Sequence, residues 1–489
     1  MKGESSESYR HVLKYTGIFG GIQGLNMVLG LVRTKLVALL LGPSGMGLAS
    51  LFNTTVGFVS QSTNLGVSFS AVRHISELYD QGDEAAFLQF VRVVRGWSVL
   101  TALLGMLVCV AIGPLLSNTT FAWGDHSLHF MLLAPAVGML AVTGGETAIL
   151  KGTRKLGALA SIQVLAVIAA LIISVPVYYC FGEAGIVPVI VMMAFATMLF
   201  TVSRSFCAVP FQLSGTKGIL GEGMEMVKLG VAFTLAGVIG SASEMLVRSY
   251  LNVTGDLDML GLYNAGYMLT ITYAGLVFSA METDYFPRLS AVNHDIEASN
   301  RVVNRQMEVS LLIISPMLVA LIIGLPILIP LLFSDQFLPV VGMAQVAALA
   351  MYFKVMTLPV AYITLARGYS LSYLFLESAY FVVFVLLIFL GYEQWGLLGT
   401  GIAITLAHLF ECLLVNGYAY KKYGYRGSAT VYGYAVVQGA IGLLAYVLTL
   451  SADGVAYWAV GILLAVLSLA LSLHVLRQKR KSSSTSIKL

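Results

Sequence analysis

Charge is what this 489-residue sequence has least of: 28 lysines and arginines and 24 aspartates and glutamates amount to 11% of the chain, while 58% of it is hydrophobic. With a mean hydropathy of +0.86, it has too little polar surface to cover a soluble particle of this length, so the bilayer must be its solvent. Cysteine is scarce. Cys109, Cys180, Cys207 and Cys412 lie singly in apolar runs, without the paired spacing of a disulfide framework or a zinc site. There is no G-x-x-x-x-G-K-[ST] loop, so nucleotide hydrolysis by such a site is excluded. His126 and His129 have H-x-x-H spacing without further ligands, and no metal is expected. The longest extramembrane stretches fall around 73–93, 208–226 and 285–307, too short for a catalytic or nucleic-acid-binding domain. Neither enzyme activity nor a cofactor is expected.

What the chain has instead is apolar runs of about 20 residues, each long enough to cross the hydrocarbon layer as a helix. They fall at 16–41, 46–72, 94–116, 128–150, 156–180 and 185–207, then at 227–250, 260–284, 308–333, 341–366, 373–391 and 397–419, with a last hairpin at 430–450 and 456–476. The fold class expected is all-α integral membrane with about fourteen transmembrane helices. The polar stretch from Met1 to Tyr15 lacks a short apolar core and cleavage site, so the first span is expected to be retained. With the N-terminus cytoplasmic, no base falls in an external loop, whereas Asp125, Glu183, Asp256, Asp258, Asp335, Glu393 and Asp453 do. This positive-inside asymmetry places both termini in the cytoplasm.

Two stretches repeat. Arg33, Gly47-Leu48 and Arg73 are spaced by fourteen and twenty-six residues; Arg248, Gly261-Leu262 and Arg288 by thirteen and twenty-seven. Each set covers a helix, an external turn and a second helix running into a basic loop. Because six is even, the six-helix halves share one orientation and relate by a pseudo-two-fold axis along the membrane normal, a plan used by secondary transporters. The expected organisation is an N-lobe at 1–207, a cytoplasmic linker at 208–226, a C-lobe at 227–420, a C-terminal hairpin at 421–476 and a basic tail at 477–489. Such a duplicated bundle implies a cavity between the halves and alternating access, for which Pro135, Pro188, Pro316, Pro326 and Pro359 offer kinks.

The bases inside spans are Arg33, Lys35, Arg248 and Lys354. Each costs at least ~2.5 kcal/mol if it faces lipid near the bilayer centre, so a cavity or a partner is expected. Arg33 continues a polar stripe through Gln23 and Asn26, suited to a wet cavity or, alternatively, to snorkelling; Lys35, about 200° around the helix from Arg33, reads as a snorkeller. Arg248 follows Glu244 by four residues, the spacing of an ion pair within one helix. Lys354 has no acid in its own span and is the best candidate for an anion contact. In the second span Asn53, Gln61 and Asn64 lie among Gly57, Ser60 and Ser68, a stripe suited to a lumen or to close helix packing. Glu146 reads as interfacial. Glu377 and Glu411 lie deeper, able to carry a proton or to pair with Lys354; with Glu244 they are the candidates for ion coupling.

The run V-R-T-K-L-V-A-L-L-L-G-P-S-G-M-G-L-A-S-L-F-N from Val32 to Asn53, the L-K-G-T-R-K at Leu150 to Lys155, and the stretch from Tyr352 through Lys354 to Arg367 resemble the polysaccharide-transporter branch of the multidrug/oligosaccharidyl-lipid/polysaccharide exporter superfamily. Within it they look like the Wzx-type flippases, with similarity through both halves to about Tyr420. The resemblance implies a central cationic cavity that carries undecaprenyl-pyrophosphate-linked oligosaccharide (an O-antigen, enterobacterial common antigen or capsule repeat unit) across a bacterial inner membrane. Arg33, Arg248 and Lys354 would then meet the pyrophosphate, and Gln23, Asn26, Asn53, Gln61 and Asn64 the sugars. A monomer is expected, with polysaccharide assembly proteins as candidate partners. Many family members stop at twelve helices; the hairpin after Arg426 makes fourteen, as in the related lipid II flippases. The alternatives are that lipid II reading and a cation-coupled drug or metabolite exporter of the same superfamily, which would need acids rather than bases facing its cavity. A membrane polysaccharide polymerase would need a large external loop.

Overall fold

A computed structural model of the chain describes residues 2–120, 126–211, 219–272 and 288–486, with positions 275, 278, 285 and 286 between them. Among these residues the fold is all helix, with no strand. The helices are α1 (Lys2–Thr63), α2 (Val67–Gln81), α3 (Glu84–Thr120), α4 (Ser127–Gly152), α5 (Leu156–Phe181), α6 (Ile186–Ala208), α7 (Ile219–Thr254) and α8 (Leu257–Tyr267). They continue as α9 (Ile296–Leu332), α10 (Val341–Ala348), α11 (Ala350–Ala366), α12 (Ser370–Tyr423), α13 (Ala429–Ser451) and α14 (Gly454–Ser486).

These labels are not one per crossing, because the chain often turns without leaving helical hydrogen bonding. α1 holds the first expected span and most of the second, joined at Gly42 (φ 63°, ψ −170°) with Pro43 directly after it. Only glycine takes that backbone conformation cheaply, and proline's fixed φ suits the first residue of the helix that follows. α12 likewise holds two spans, reversed at Trp395 and Gly396 so that Gly391 lies against Gly399. α5 and α6 meet through a 3-10 turn at Gly182–Gly185. Conversely, the span expected at 341–366 is two helices, α10 and α11, bent by 42° beside Leu349. Counted as crossings, the described helices fit about fourteen spans; residues 273, 274, 276, 277 and 279–284 of the span expected at 260–284 lie outside the described residues. Pro135, Pro316, Pro326 and Pro359 sit inside continuous helices.

The second span departs from expectation at its end. Instead of running to 72 it stops at Thr63, and the chain passes through Leu65 (φ 51°) and Gly66 (φ 75°) before α2 begins. α8 passes into a π-helical turn at Met268–Thr272, a wider winding that adds a residue to the turn.

The chain forms two compact units, residues 1–261 with 332–334, and residues 262–331 with 335–489. In the first unit α7 packs on α1, α2 and α3. The Gln61 amide lies over Gly237 of α7, in the space a Cβ would fill. Gly47 and Gly261, aligned by the internal repeat, lie against each other: a Cβ on Gly47 would strike the Leu257 carbonyl and come 2.9 Å from the Gly261 nitrogen, and one on Gly261 would strike the Pro43 carbonyl. In the second unit α13 and α14 pair through a buried polar cluster. Gln438 Nε2 donates to Ser472 Oγ at 2.9 Å, and Ser468 Oγ donates to Gln438 Oε1 at 2.6 Å. The pair is moored to α9 and α11 by Gly442 beneath the Tyr352 ring and by the Tyr457 hydroxyl, which donates to the Ile323 carbonyl at 2.7 Å.

Because backbone stands on both sides of the Gly261 contact, neither side can yield by changing rotamer. Gly261→Ala is expected to cost about 1–3 kcal/mol through overpacking, read as a lower unfolding temperature of the detergent-solubilised chain. Gly30→Ala, where nothing lies within 4 Å of the added methyl, should leave it unchanged or raise it; equal behaviour of the two variants would contradict the contact.

Candidate functional site

In the first unit Arg33 points from α1 toward α5 and α6. Its Nε donates to Ser174 Oγ at 3.2 Å and its Nη2 approaches Met193 Sδ at 3.4 Å. Ser174 is fully buried and its hydroxyl donates back to the Ala170 carbonyl. Arg33 is half-buried and pairs with no carboxylate among the described residues. Asn26, two turns earlier, keeps its Oδ1 buried with no hydrogen-bond partner among the described residues. The Gln23 side chain lies outside the described residues.

Arg248 is 7% exposed and binds along its own helix and across to α1: Nη1 reaches Glu244 Oε2 at 3.0 Å, and Nε donates to Ser50 Oγ at 3.0 Å. The i,i+4 pair expected from the sequence is formed. The stripe of the second span divides into three environments. Asn53 is exposed and folds back onto the Ala49 carbonyl, Gln61 covers Gly237, and Asn64 exchanges hydrogen bonds with Ser68 at 3.0 and 3.2 Å across the helix break.

The second unit gathers three of the charges picked out in sequence. Lys354 Nζ on α11 donates to Glu411 Oε1 on α12 at 3.2 Å and lies 5.8 Å from the centre of the Tyr380 ring. Glu411 is 4% exposed, and its second oxygen is buried without a partner among the described residues. Glu377, one turn before Tyr380, is within electrostatic reach of both Lys354 and Glu411. The His408 ring meets Tyr380 edge-on at 5.3 Å, with Nδ1 3.0 Å from the Ile404 carbonyl. Two carboxylates thus share one ammonium, and with both ionised the cluster carries one uncompensated negative charge. A proton or a small cation would neutralise it.

One buried ion pair escapes sequence reasoning. Glu146 is 5% exposed rather than interfacial, and Arg95 grips it with Nε to Oε1 at 2.9 Å and Nη2 to Oε2 at 3.3 Å. The same guanidinium donates to the carbonyls of Val209 and Pro210 and lies 4.5 Å from the Phe206 ring, tying the end of α6 to α3 and α4. The partners are 51 residues apart, and no periodicity within one helix could pair them.

Long apolar helices broken at their turns, with charges and amides between them, define a multi-pass membrane protein. A profile described as polysaccharide biosynthesis protein matches residues 36–342, well over half of the chain. The chain belongs to that polysaccharide biosynthesis protein family. It is 22% identical over 382 residues to a candidate O-antigen transporter of Shigella flexneri, covering 77% of this chain and 90% of that protein. Its fold is similar to that of the lipid II flippase MurJ in an inward closed conformation, with TM-score 0.71, 14% identity, and 94% of this chain and 99% of that one covered. It is also similar to a multidrug resistance transporter of the MATE family in an inward-facing conformation, with TM-score 0.69 and 14% identity over 82% of this chain and 94% of that one. The relative and the solved structures it matches are themselves transporters and a flippase.

The Arg95 pair predicts an asymmetric stability result. Arg95→Met leaves the Glu146 carboxylate buried alone and should cost about 3 kcal/mol, whereas Arg95→Met with Glu146→Leu should recover most of that loss. Thermal unfolding in detergent distinguishes them; a double variant as unstable as the single one would contradict the pairing.

Proposed function

We propose that the protein is a flippase that moves undecaprenyl-pyrophosphate-linked oligosaccharide from the cytoplasmic to the outer leaflet of a bacterial inner membrane. The reading is supported by family membership and by the fold, and it rests on one observation: Arg33 stands half-buried in the bundle with no carboxylate partner among the described residues. A standing positive charge there suits an anionic head and opposes a cationic drug. At an effective dielectric near 20, unit charges ~4 Å apart attract by about 4 kcal/mol before desolvation is counted.

In this reading the repeat halves, 1–207 and 227–420, rock about the cavity, and both termini are cytoplasmic, as the positive-inside asymmetry requires. The pyrophosphate meets Arg33 first and then competes with Glu244 for Arg248 and with Glu411 for Lys354. Asn26, Asn53, Gln61 and Asn64 supply amide partners for sugar hydroxyls, together with Gln23. Protonation of the Glu377 and Glu411 cluster frees Lys354 for phosphate, which couples loading to a proton. The membrane potential helps independently: outward movement of a net charge of −2 is downhill by about 4.6 kcal/mol per 100 mV. Lipid II is a second reading, favoured by the 94% of this chain covered in the likeness to MurJ.

The test is transport of a fluorescent undecaprenyl-pyrophosphate oligosaccharide in proteoliposomes. Lys354→Gln and Arg33→Gln should each slow flipping about tenfold or more, the loss of one charge-assisted contact, and an imposed inside-negative potential should accelerate the wild type. Flipping at the wild-type rate in both variants would remove the proposed site. Preference for a lipid II probe over the oligosaccharide probe would favour the second reading.

A further inference from the structure

A group of cations without a carboxylate partner among the described residues stands where the turn between α11 and α12 meets the far end of α12. Lys422 is exposed by position, yet its ammonium folds back. Nζ donates to Ser372 Oγ at 2.9 Å and to the Tyr418 hydroxyl at 2.8 Å, and it lies 5.0, 5.2 and 5.9 Å from the ring centres of Tyr369, Tyr418 and Tyr423. Beside it the Arg367 guanidinium lies 5.1 Å from the Tyr423 ring, and its Nε is buried with no acceptor among the described residues. Neither cation pairs with a carboxylate among the described residues. Tyr369 stacks on Tyr423 at 5.7 Å and 21° and stays 49% exposed.

Basic residues at a membrane surface ordinarily extend their heads into water. Here a lysine gives up rotamer freedom to sit among three rings and two neutral hydroxyls, while a neighbouring arginine keeps a buried donor unused among the described residues. Ring quadrupoles hold cations in place without neutralising them. Two positive charges are therefore fixed side by side with donor capacity left over, next to an exposed aromatic face.

We propose that Arg367, Lys422, Ser372 and the Tyr369 ring form a binding site for the phosphate of a membrane-borne headgroup, separate from the transport cavity. A phosphate oxygen accepts from the Arg367 guanidinium and from Lys422, and the glycerol or sugar next to the phosphate packs on Tyr369. The same chemistry is offered by an anionic glycerophospholipid and by a polyprenyl-pyrophosphate sugar. The glycerophospholipid source is independent of the transport reading.

The full-length detergent-solubilised chain is titrated with dioleoylphosphatidylglycerol, with undecaprenyl-pyrophosphate N-acetylglucosamine and with zwitterionic dioleoylphosphatidylcholine, and binding is followed by native mass spectrometry. Arg367→Gln, which removes no hydrogen bond that the cluster uses, should weaken the anionic lipid that binds here about tenfold and leave phosphatidylcholine unchanged. Lys422→Gln should do the same. Tyr369→Leu should weaken the sugar pyrophosphate more than phosphatidylglycerol if the sugar is the occupant. Loss confined to phosphatidylglycerol identifies a lipid headgroup, and loss confined to the sugar pyrophosphate identifies the lipid-linked sugar. Unchanged binding of both anionic probes in Arg367→Gln, or an equal loss for phosphatidylcholine, overturns the proposal.

Discussion

Inside hydrocarbon an ionised side chain must be compensated by a partner or put to use, because no water is there to solvate it. The arginines and lysine held between these helices can be ordered by how they meet that demand. Arg95 is fully answered by a bidentate carboxylate, two carbonyls and an aromatic face, and it acts as a fastening. Arg248 shares a partly exposed acid. Lys354 faces more acid than it can neutralise. Among the described residues Arg33 has no carboxylate and meets a hydroxyl and a thioether. In the proposed reading, function concentrates toward the incompletely answered end of this series, where a ligand or a proton would complete the charge balance.

The backbone follows the same logic. Three of the turns joining successive spans are made with little or no loop, at Gly42, at Gly182 and at Trp395 with Gly396. Where the ladder does open, at Asn64 to Gly66, the Asn64 and Ser68 side chains hydrogen-bond to each other across the gap. Close helix contact comes from glycine pairs, Gly47 with Gly261 and Gly391 with Gly399, since without a hydrophobic force between helices in lipid the approach of backbones supplies much of the attraction.

Hydropathy along the chain revealed the crossings, because each run of apolar residues reports a path through hydrocarbon whatever it packs against. The repeat around Gly47 and Gly261 was legible for a related reason: a close backbone contact leaves glycine as the residue that fits. The Glu244 and Arg248 pair was readable because both partners lie on one helix, and Lys354 could be matched to Glu377 or Glu411 because so few acids lie deep. Packing between distant helices left no such trace. Arg95 and Glu146, the contact of Gln61 with α7, and the packing of Tyr369 and Ser372 around Lys422 join residues whose sequence separation carries no period. The bend beside Leu349 and the π-helical turn at Met268 depend on tertiary fit and not on a helix-breaking residue. α7, expected with the C-lobe, packs on α1, α2 and α3.

The central claim is that incompletely compensated cations within the bundle select a phosphate-bearing head. It is tested most directly by comparing equilibrium binding of undecaprenyl pyrophosphate with that of undecaprenol, which has the same tail and an uncharged head, to the wild-type protein in detergent. The account predicts that the pyrophosphate binds at least about tenfold more tightly, a difference of ~1.4 kcal/mol, and that the preference shrinks as ionic strength rises. Equal affinity for the two lipids would contradict it.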